Sequence, residues 1–306
     1  MDGTFPRNDL SGLAKPEWTR RVMEQADLEG ASDRLGRSHF AAFVKSGPVL
    51  LVSFETVQGM RGLTESAQPL GWHLSRKLGW SHLLLASDGD TWFRAEEVYA
   101  YFDQLIDEGF FEEFETVLFY GAGPCGYAAA AFSVAAPGST VVAIQPQATL
   151  DPDVTEWDDR FTHMRRTDFT SRFGFAPDMI DAAAQVFVVY DPLESHDAMH
   201  AALFTRPNVT KLRMRNMGEA LQSHLLFMKR LFPMLHAAAE GRLTPQYFAT
   251  LFRARRNHLP YLRRLLTRLE YSDRPGLTAM LCRNVTARYP APRFARRLKA
   301  LENPEE

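Results

Sequence analysis

Cysteine is almost absent from this chain: Cys125 and Cys282 are the two among 306 residues. Two thiols cannot form a disulfide framework, so a reducing compartment, the cytoplasm, is the expected location. No Cys/His grouping has the spacing of a structural zinc site. His196 and His200 share a helix face near Asp191 and Asp197, but no third ligand comes from elsewhere in the chain, and no metal is expected. No apolar run reaches the roughly 20 residues that span a bilayer. The polar, acid-bearing start of the chain does not read as a signal peptide. Internal repeats, low-complexity stretches and recognised nucleic-acid-binding modules are missing as well, which argues against nucleic acid as a partner.

What is present suits a globular fold. The chain is 45% hydrophobic, and chains of this length bury about 75% of their unfolded surface. Its net charge of −2 is unevenly spread. Residues 241–306 hold 14 Lys and Arg against 5 Asp and Glu, a net of +9, which leaves −11 on the remainder. A basic tail on an acidic body predicts either docking of the tail on its own body or an acidic protein partner.

Hydrophobic patterning divides the chain into three regions. Residues 1–35 read as a helical lead-in. Residues 36–240 read as an α/β domain, and 241–306 as a basic helical region. Runs at 39–44 and 48–54 are β-rich and separated by Ser46-Gly47, which suggests a hairpin. Helical periodicity covers 65–78 and 95–108, with strands at 82–87, 115–120, 140–144, 185–190 and 209–214. Further helices are expected at 127–136, 177–184 and 197–204, then long ones at 219–240 and 244–271. The middle strands are apolar without alternation, which predicts a mostly parallel, doubly wound sheet covered on both faces.

The segment most suggestive of chemistry is Tyr120-Gly121-Ala122-Gly123-Pro124-Cys125-Gly126-Tyr127-Ala128-Ala129, between an apolar strand and an Ala-rich helix. Gly121, Gly123 and Gly126 satisfy the dinucleotide fingerprint G-x-G-x-x-G. That reading calls for an acid at the end of the next strand, to hold the ribose. The residue there is Gln145, and several strands precede the turn. The same frame resembles the nucleophile elbow of the α/β hydrolases, with Gly123 where that family places its serine. The resemblance spans roughly residues 40–231. It implies an α/β-hydrolase-like fold with a degenerate elbow, an acid at Asp191 after a late strand, and a base at His224. It also implies that Phe54-Glu55 lies where an oxyanion-hole amide is donated.

On this resemblance Phe54, Gly121, Gly123 and Gly126 are the candidate ligand-binding residues, and Asp191, His224 and Cys125 the candidate catalytic ones. Serine hydrolysis is not expected from Gly123. Cys125 lies two residues past the apex, where a small packing residue is the usual occupant. Asp191 also reads as a helix cap, and His224 as a structural histidine on the apolar face Leu221-Gln222-Ser223-His224-Leu225. Trp157-Asp158-Asp159-Arg160 reads as a loop closed by a local ion pair, and Asp90-Thr91-Trp92-Phe93-Arg94 as an aromatic loop over a cleft or the core.

Residues 137–150 resemble the corresponding segment of hydrolase-like proteins linked to surface polysaccharides. The expected role is therefore a binding or accessory protein in polysaccharide or envelope metabolism, without a cofactor, acting on a small-molecule or glycan-related ligand. The alternative is a nucleotide-binding enzyme using the 121–126 turn with NAD or FAD. The chain also resembles bacterial sequences described as phosphoadenosine phosphosulfate reductases. That family's Ser-Gly-Gly-x-Asp-Ser loop and Glu-Cys-Gly-x-His terminus are absent, and Cys282 stands in Leu281-Cys282-Arg283-Asn284.

Overall fold

The computed structural model describes residues 9–303. Helix α1 (Lys15–Glu29) leads into strand β1 (Gly30–Leu35), followed by β2 (His39–Val44) and β3 (Val49–Thr56). Then come α2 (Val57–Leu63), α3 (Leu70–Leu78), β4 (Ser81–Ser87), α4 (Glu96–Asp107), β5 (Thr116–Ala122) and α5 (Pro124–Ala131). The second half runs β6 (Thr140–Ile144), α6 (Pro152–Thr155), α7 (Ala176–Met179), β7 (Gln185–Tyr190), α8 (Ser195–Leu203) and β8 (Val209–Arg213). It closes with α9 (Leu221–Phe227), α10 (Leu231–Ala239), α11 (Pro245–Phe252), α12 (Leu259–Tyr271), α13 (Pro275–Thr286) and α14 (Pro292–Glu302).

The eight strands form one sheet in the order β1-β2-β4-β3-β5-β6-β7-β8. β1 and β2 are antiparallel to their neighbours, and every pair from β4-β3 to β7-β8 is parallel. Every residue of β4, which is parallel to β3 and antiparallel to β2, is buried, as expected for an inner strand covered on both faces. One face carries a phenylalanine-rich core that includes Phe54, Phe102, Phe119 and Phe132. The other is closed by Leu221, Leu225, Leu231 and Leu235 of α9 and α10, with Phe248 and Phe252 of α11. This strand order and its connections are those of the α/β-hydrolase fold, and helices follow the sheet at the C-terminal end.

Three local expectations are corrected. β2 and β3 are not a hairpin, because β4 lies between them. The Ser46 and Gly47 amides donate to Ser81 Oγ at the start of β4 (2.9 and 3.1 Å). A Cβ on Gly47 would sit 2.2 Å from the Gly79 carbonyl oxygen. The short link is therefore a crossover pinned to β4. The lead-in is not wholly helical, since the polar run Gly30–Leu35 is an edge strand held by its register with β2. The long helices break where the backbone demands it: at Lys229, whose φ is +56°, and at a 3-10 turn over Arg253–Asn257, ahead of Pro260.

Candidate functional site

β5 is an apolar strand whose end turns sharply into α5. At the apex, Gly123 has φ +59° and ψ −126°, a left-handed conformation that costs a side-chain-bearing residue about 1–3 kcal/mol. Two flanking glycines make the turn sterically feasible. A Cβ on Gly121 would lie 2.0 Å from the Cys125 carbonyl oxygen, and one on Gly126 3.0 Å from that of Ile144. Around Gly123 a Cβ meets nothing within 4 Å. Of the three glycines only Gly123 faces a cavity; Gly121 and Gly126 serve close packing of helix on strand.

The residue after the apex is Pro124, which has no N–H. In α/β hydrolases the residue after the nucleophile donates the first oxyanion-hole amide. The turn thus offers neither a nucleophilic side chain nor that donor. Its amides are also unsuited to a pyrophosphate: Gly123 N–H donates to Ile144 (2.8 Å), while Gly126 N–H and Tyr127 N–H both donate to the Gly123 carbonyl. Pro124 could have been recognised in the sequence by its place next to the apex.

Asp191 follows β7 and is fully buried. One oxygen accepts from Leu193 N–H (3.0 Å) and the other from Met217 N–H and Gly218 N–H (2.7 and 2.8 Å). The carboxylate holds the loop after β8 through its backbone and orients no imidazole. His224 lies on α9, where its Nδ1 meets Nε2 of His258 at 2.9 Å. Burial, then the Arg264 charge, lowers the pKa of His224; burial and His224 itself push that of His258 down to about 4. Asp191 and His224 therefore make no hydrogen bond to each other, and the acid–base pair expected of them is not formed. Cys125 is buried beside Phe54, and burial pushes its thiol pKa far up, so it has no activated thiolate.

Phe54 likewise belongs to the core, with its ring 4.9 Å from Phe93 and 5.6 Å from Phe132. Next to it Glu55 is buried, and burial raises its carboxyl to about 7. Ser53 Oγ lies 2.8 Å from Glu55 Oε1 and 2.8 Å from His82 Nε2. The serine sits between acid and base within the sheet and is fully buried, so these three residues form a core hydrogen-bond chain rather than a triad. Phe54, Glu55, Cys125 and Gln222 line a small cavity of about 210 Å³ on one side of the elbow.

On the other side lies a pocket of about 530 Å³ lined by Gly123, Pro124, Gln145, Gln147, Phe161 and Gln222 among others. Its wall is a polar network that the sequence reading did not assemble. Gln145 has φ +49°; its Nε2 donates to Asp197 (2.6 Å) and its Oε1 accepts from Leu221 N–H (3.1 Å). Arg160 bridges Asp197 (2.7 Å) and Asp158 (2.8 Å), the local ion pair expected of the 157–160 loop. His200 Nδ1 accepts from Ala148 N–H, so its Nε2–H donates to Asp158 (2.8 Å). Burial opposes ionisation of Asp158, but the bonds from His200 and Arg160 prevail and hold its pKa low. Asp158, Asp159 and His196 offer ligand atoms within 4.8 Å of one another, with Asp158 already committed to Arg160 and His200. The aromatic loop covers the core: Trp92 and Phe93 are buried, and Trp92 Nε1–H donates to Gln147.

No family model matches the chain, and no curated protein matches it. Solved structures that resemble it include esterases. The thermostable carboxylesterase EstE1 from a metagenomic library is 17% identical, with a TM-score of 0.43, over 79% of this chain and 98% of its own. Carboxyl esterase 2 from the fungus Tuber melanosporum is 14% identical at 0.43, over 67% and 81%. Brefeldin A esterase, a bacterial homologue of human hormone-sensitive lipase, is 14% identical at 0.39, over 71% and 74%. Among the described residues no helix is long and apolar enough to cross a membrane.

Proposed function

We propose that this protein is a catalytically degenerate member of the α/β-hydrolase architecture that works by binding. Its pocket over Gly123 takes a small hydroxyl-rich ligand of glycan type, and its role is that of a binding or accessory protein in polysaccharide or envelope metabolism. The observation that carries this reading is the pairing of Gly123 at the elbow apex with Pro124 behind it. Covalent acyl transfer requires a nucleophilic atom and donors for the oxyanion, and neither residue supplies one. Supporting it, Asp191 spends its carboxylate on backbone amides. The pocket wall presents the carboxamides of Gln145, Gln147 and Gln222 beside the Phe161 ring. Bonds to Asp197, Leu221, Trp92 and Tyr120 already hold these carboxamides in place; each NH2 has a second hydrogen and each carbonyl a second lone pair, which match hydroxyl groups.

The test has two arms. Fluorophosphonate labelling and turnover of short-chain esters are expected at background level. Burst-phase acyl-enzyme formation, lost on Cys125→Ala, would overturn the reading. In calorimetry, mono- and oligosaccharides are expected to bind and to lose binding on Ala220→Trp, which plugs the pocket from an exposed lining position. Submillimolar binding of NAD, FAD or phosphoadenosine phosphosulfate with no saccharide binding would instead favour a nucleotide protein.

A further inference from the structure

The edge strand β8 and the turn after α11 enclose a groove of about 520 Å³ that shares no lining residue with the pocket over Gly123. Five cations line it: Lys211 and Arg213 from β8, and Arg253, Arg255 and Arg256 from the 3-10 turn. No acidic residue lines it. Among the described residues none of the five makes an ion pair with a carboxylate, whereas Arg264, Arg283, Arg293 and Arg297 of the same helical region do. The groove is also partly organised. The Arg255 guanidinium lies 4.3 Å above the Phe252 ring and donates to the Phe252 carbonyl (2.9 Å). Arg213 Nε–H donates to Tyr190 (3.3 Å).

We infer that this groove is a binding site for a small polyanion carrying two or more phosphoryl groups. Like charges gathered from separate elements without counter-charges repel, and they persist together at a cost that a bound anion relieves. Burial and then Arg213 lower the pKa of Lys211, as expected where neutralising charge is missing. Arginine is suited to phosphoryl groups because its planar fork donates two parallel hydrogen bonds. A lone phosphate monoester brings about −1.5 to −2 charges at neutral pH, so a single one leaves the five cations largely uncompensated. The cations converge on a concavity sized for a small ligand, about 300–1,000 Å³. A planar membrane surface or an extended acidic peptide would instead call for a spread face.

The test is calorimetry of the full chain with inorganic tripolyphosphate at near-physiological salt, alongside a nucleoside diphosphate. Saturable binding of tripolyphosphate is expected, weakened at least tenfold by Arg253→Gln/Arg256→Gln, which alters two exposed residues lining the groove. The control Arg34→Gln/Arg37→Gln removes the same charge near the β1 edge and is expected to leave binding unchanged. Tighter binding of the diphosphate would identify a nucleotide as the source of the phosphoryl groups, and equal or weaker binding a non-nucleotide phosphate. As a measurement needing no variant, tripolyphosphate is expected to protect Arg253 and Arg256 from phenylglyoxal in mass spectrometry. No saturable binding, equal loss in the control, or stronger binding of an acidic peptide or anionic vesicles than of tripolyphosphate would overturn the assignment.

Discussion

Several buried titratable groups of this fold are kept neutral by desolvation rather than by partners. Burial pushes His82 down to about 3, and burial with His224 takes His258 to about 4. His82 Nδ1 and His258 Nδ1 are both buried without a hydrogen-bond partner. The unfolded chain binds their protons from its ordinary value of 6.5 downward, while the folded chain does not. Their contribution to stability is therefore present above pH 6.5 and is lost as pH falls toward 4, at about 1.4 kcal/mol per pH unit for each group. Glu55 acts with the opposite sign. Its folded value is about 7 against 4.5 unfolded, so its contribution is present below 4.5 and is lost as pH rises to 7. Two histidines outweigh one carboxyl, and net acid destabilisation is expected. Urea midpoints should be lower at pH 5 than at pH 7. His258→Gln should narrow that difference and Glu55→Gln widen it. A midpoint unchanged between the two pH values in all three proteins would show that these groups are solvated.

At the scale of the element, the strand-turn-helix of β5 and α5 separates two uses of glycine. Gly123 is needed for its dihedral angle and has open space around it, whereas Gly121 is needed because Cys125 leaves no room for a Cβ. Gly123→Ala is therefore expected to cost about 1–3 kcal/mol, the strain of a side chain at this positive φ. Gly121→Ala must push backbone against backbone and is expected to cost more than 3 kcal/mol or to prevent folding. Denaturant titration compares them directly, and similar costs at the two positions would contradict the elbow geometry. Much of this element was legible in advance, because an apolar strand, spaced glycines and an Ala-rich helix are all local signals. The polar wall of the neighbouring pocket was not. Gln145, Asp197, Arg160, Asp158 and His200 span more than one loop and one helix, and no spacing rule links them.

For the molecule as a whole, the basic C-terminal helices raise the question of what holds them. They carry a small core of their own, with Leu262, Leu266, Cys282, Val285 and Phe294 buried together. They join the body through Phe248 and Phe252, and through Arg264, whose guanidinium packs on Gly218 and lies 3.6 Å from Glu194. Among the described residues that is the one ion pair from α11–α14 to the body; the others stay within the helices. Apolar docking predicts little dependence on salt, since screening weakens exposed charge pairs and not burial. Limited proteolysis should leave the region beyond residue 240 attached at both ~0.15 M and ~1 M salt. Release of an intact, soluble helical fragment at the higher salt would mean that charge holds the tail after all.

The sequence by itself determined the features that depend on neighbours along the chain. These are buried parallel strands, helices between them, a sharp glycine turn after β5, and an apex without a nucleophile. Dihedral preference and hydrophobic period act over a few residues, so they can be read from a few residues. Tertiary structure alone decided that β4 lies between β2 and β3. It also turned Asp191 toward Met217 and Gly218 rather than His224, and paired His224 with His258 of the tail. Those outcomes compare the burial and hydrogen bonds of whole alternative arrangements. A carboxylate after a strand can serve an imidazole or a backbone loop equally well until the fold fixes which donors stand within 3 Å of it.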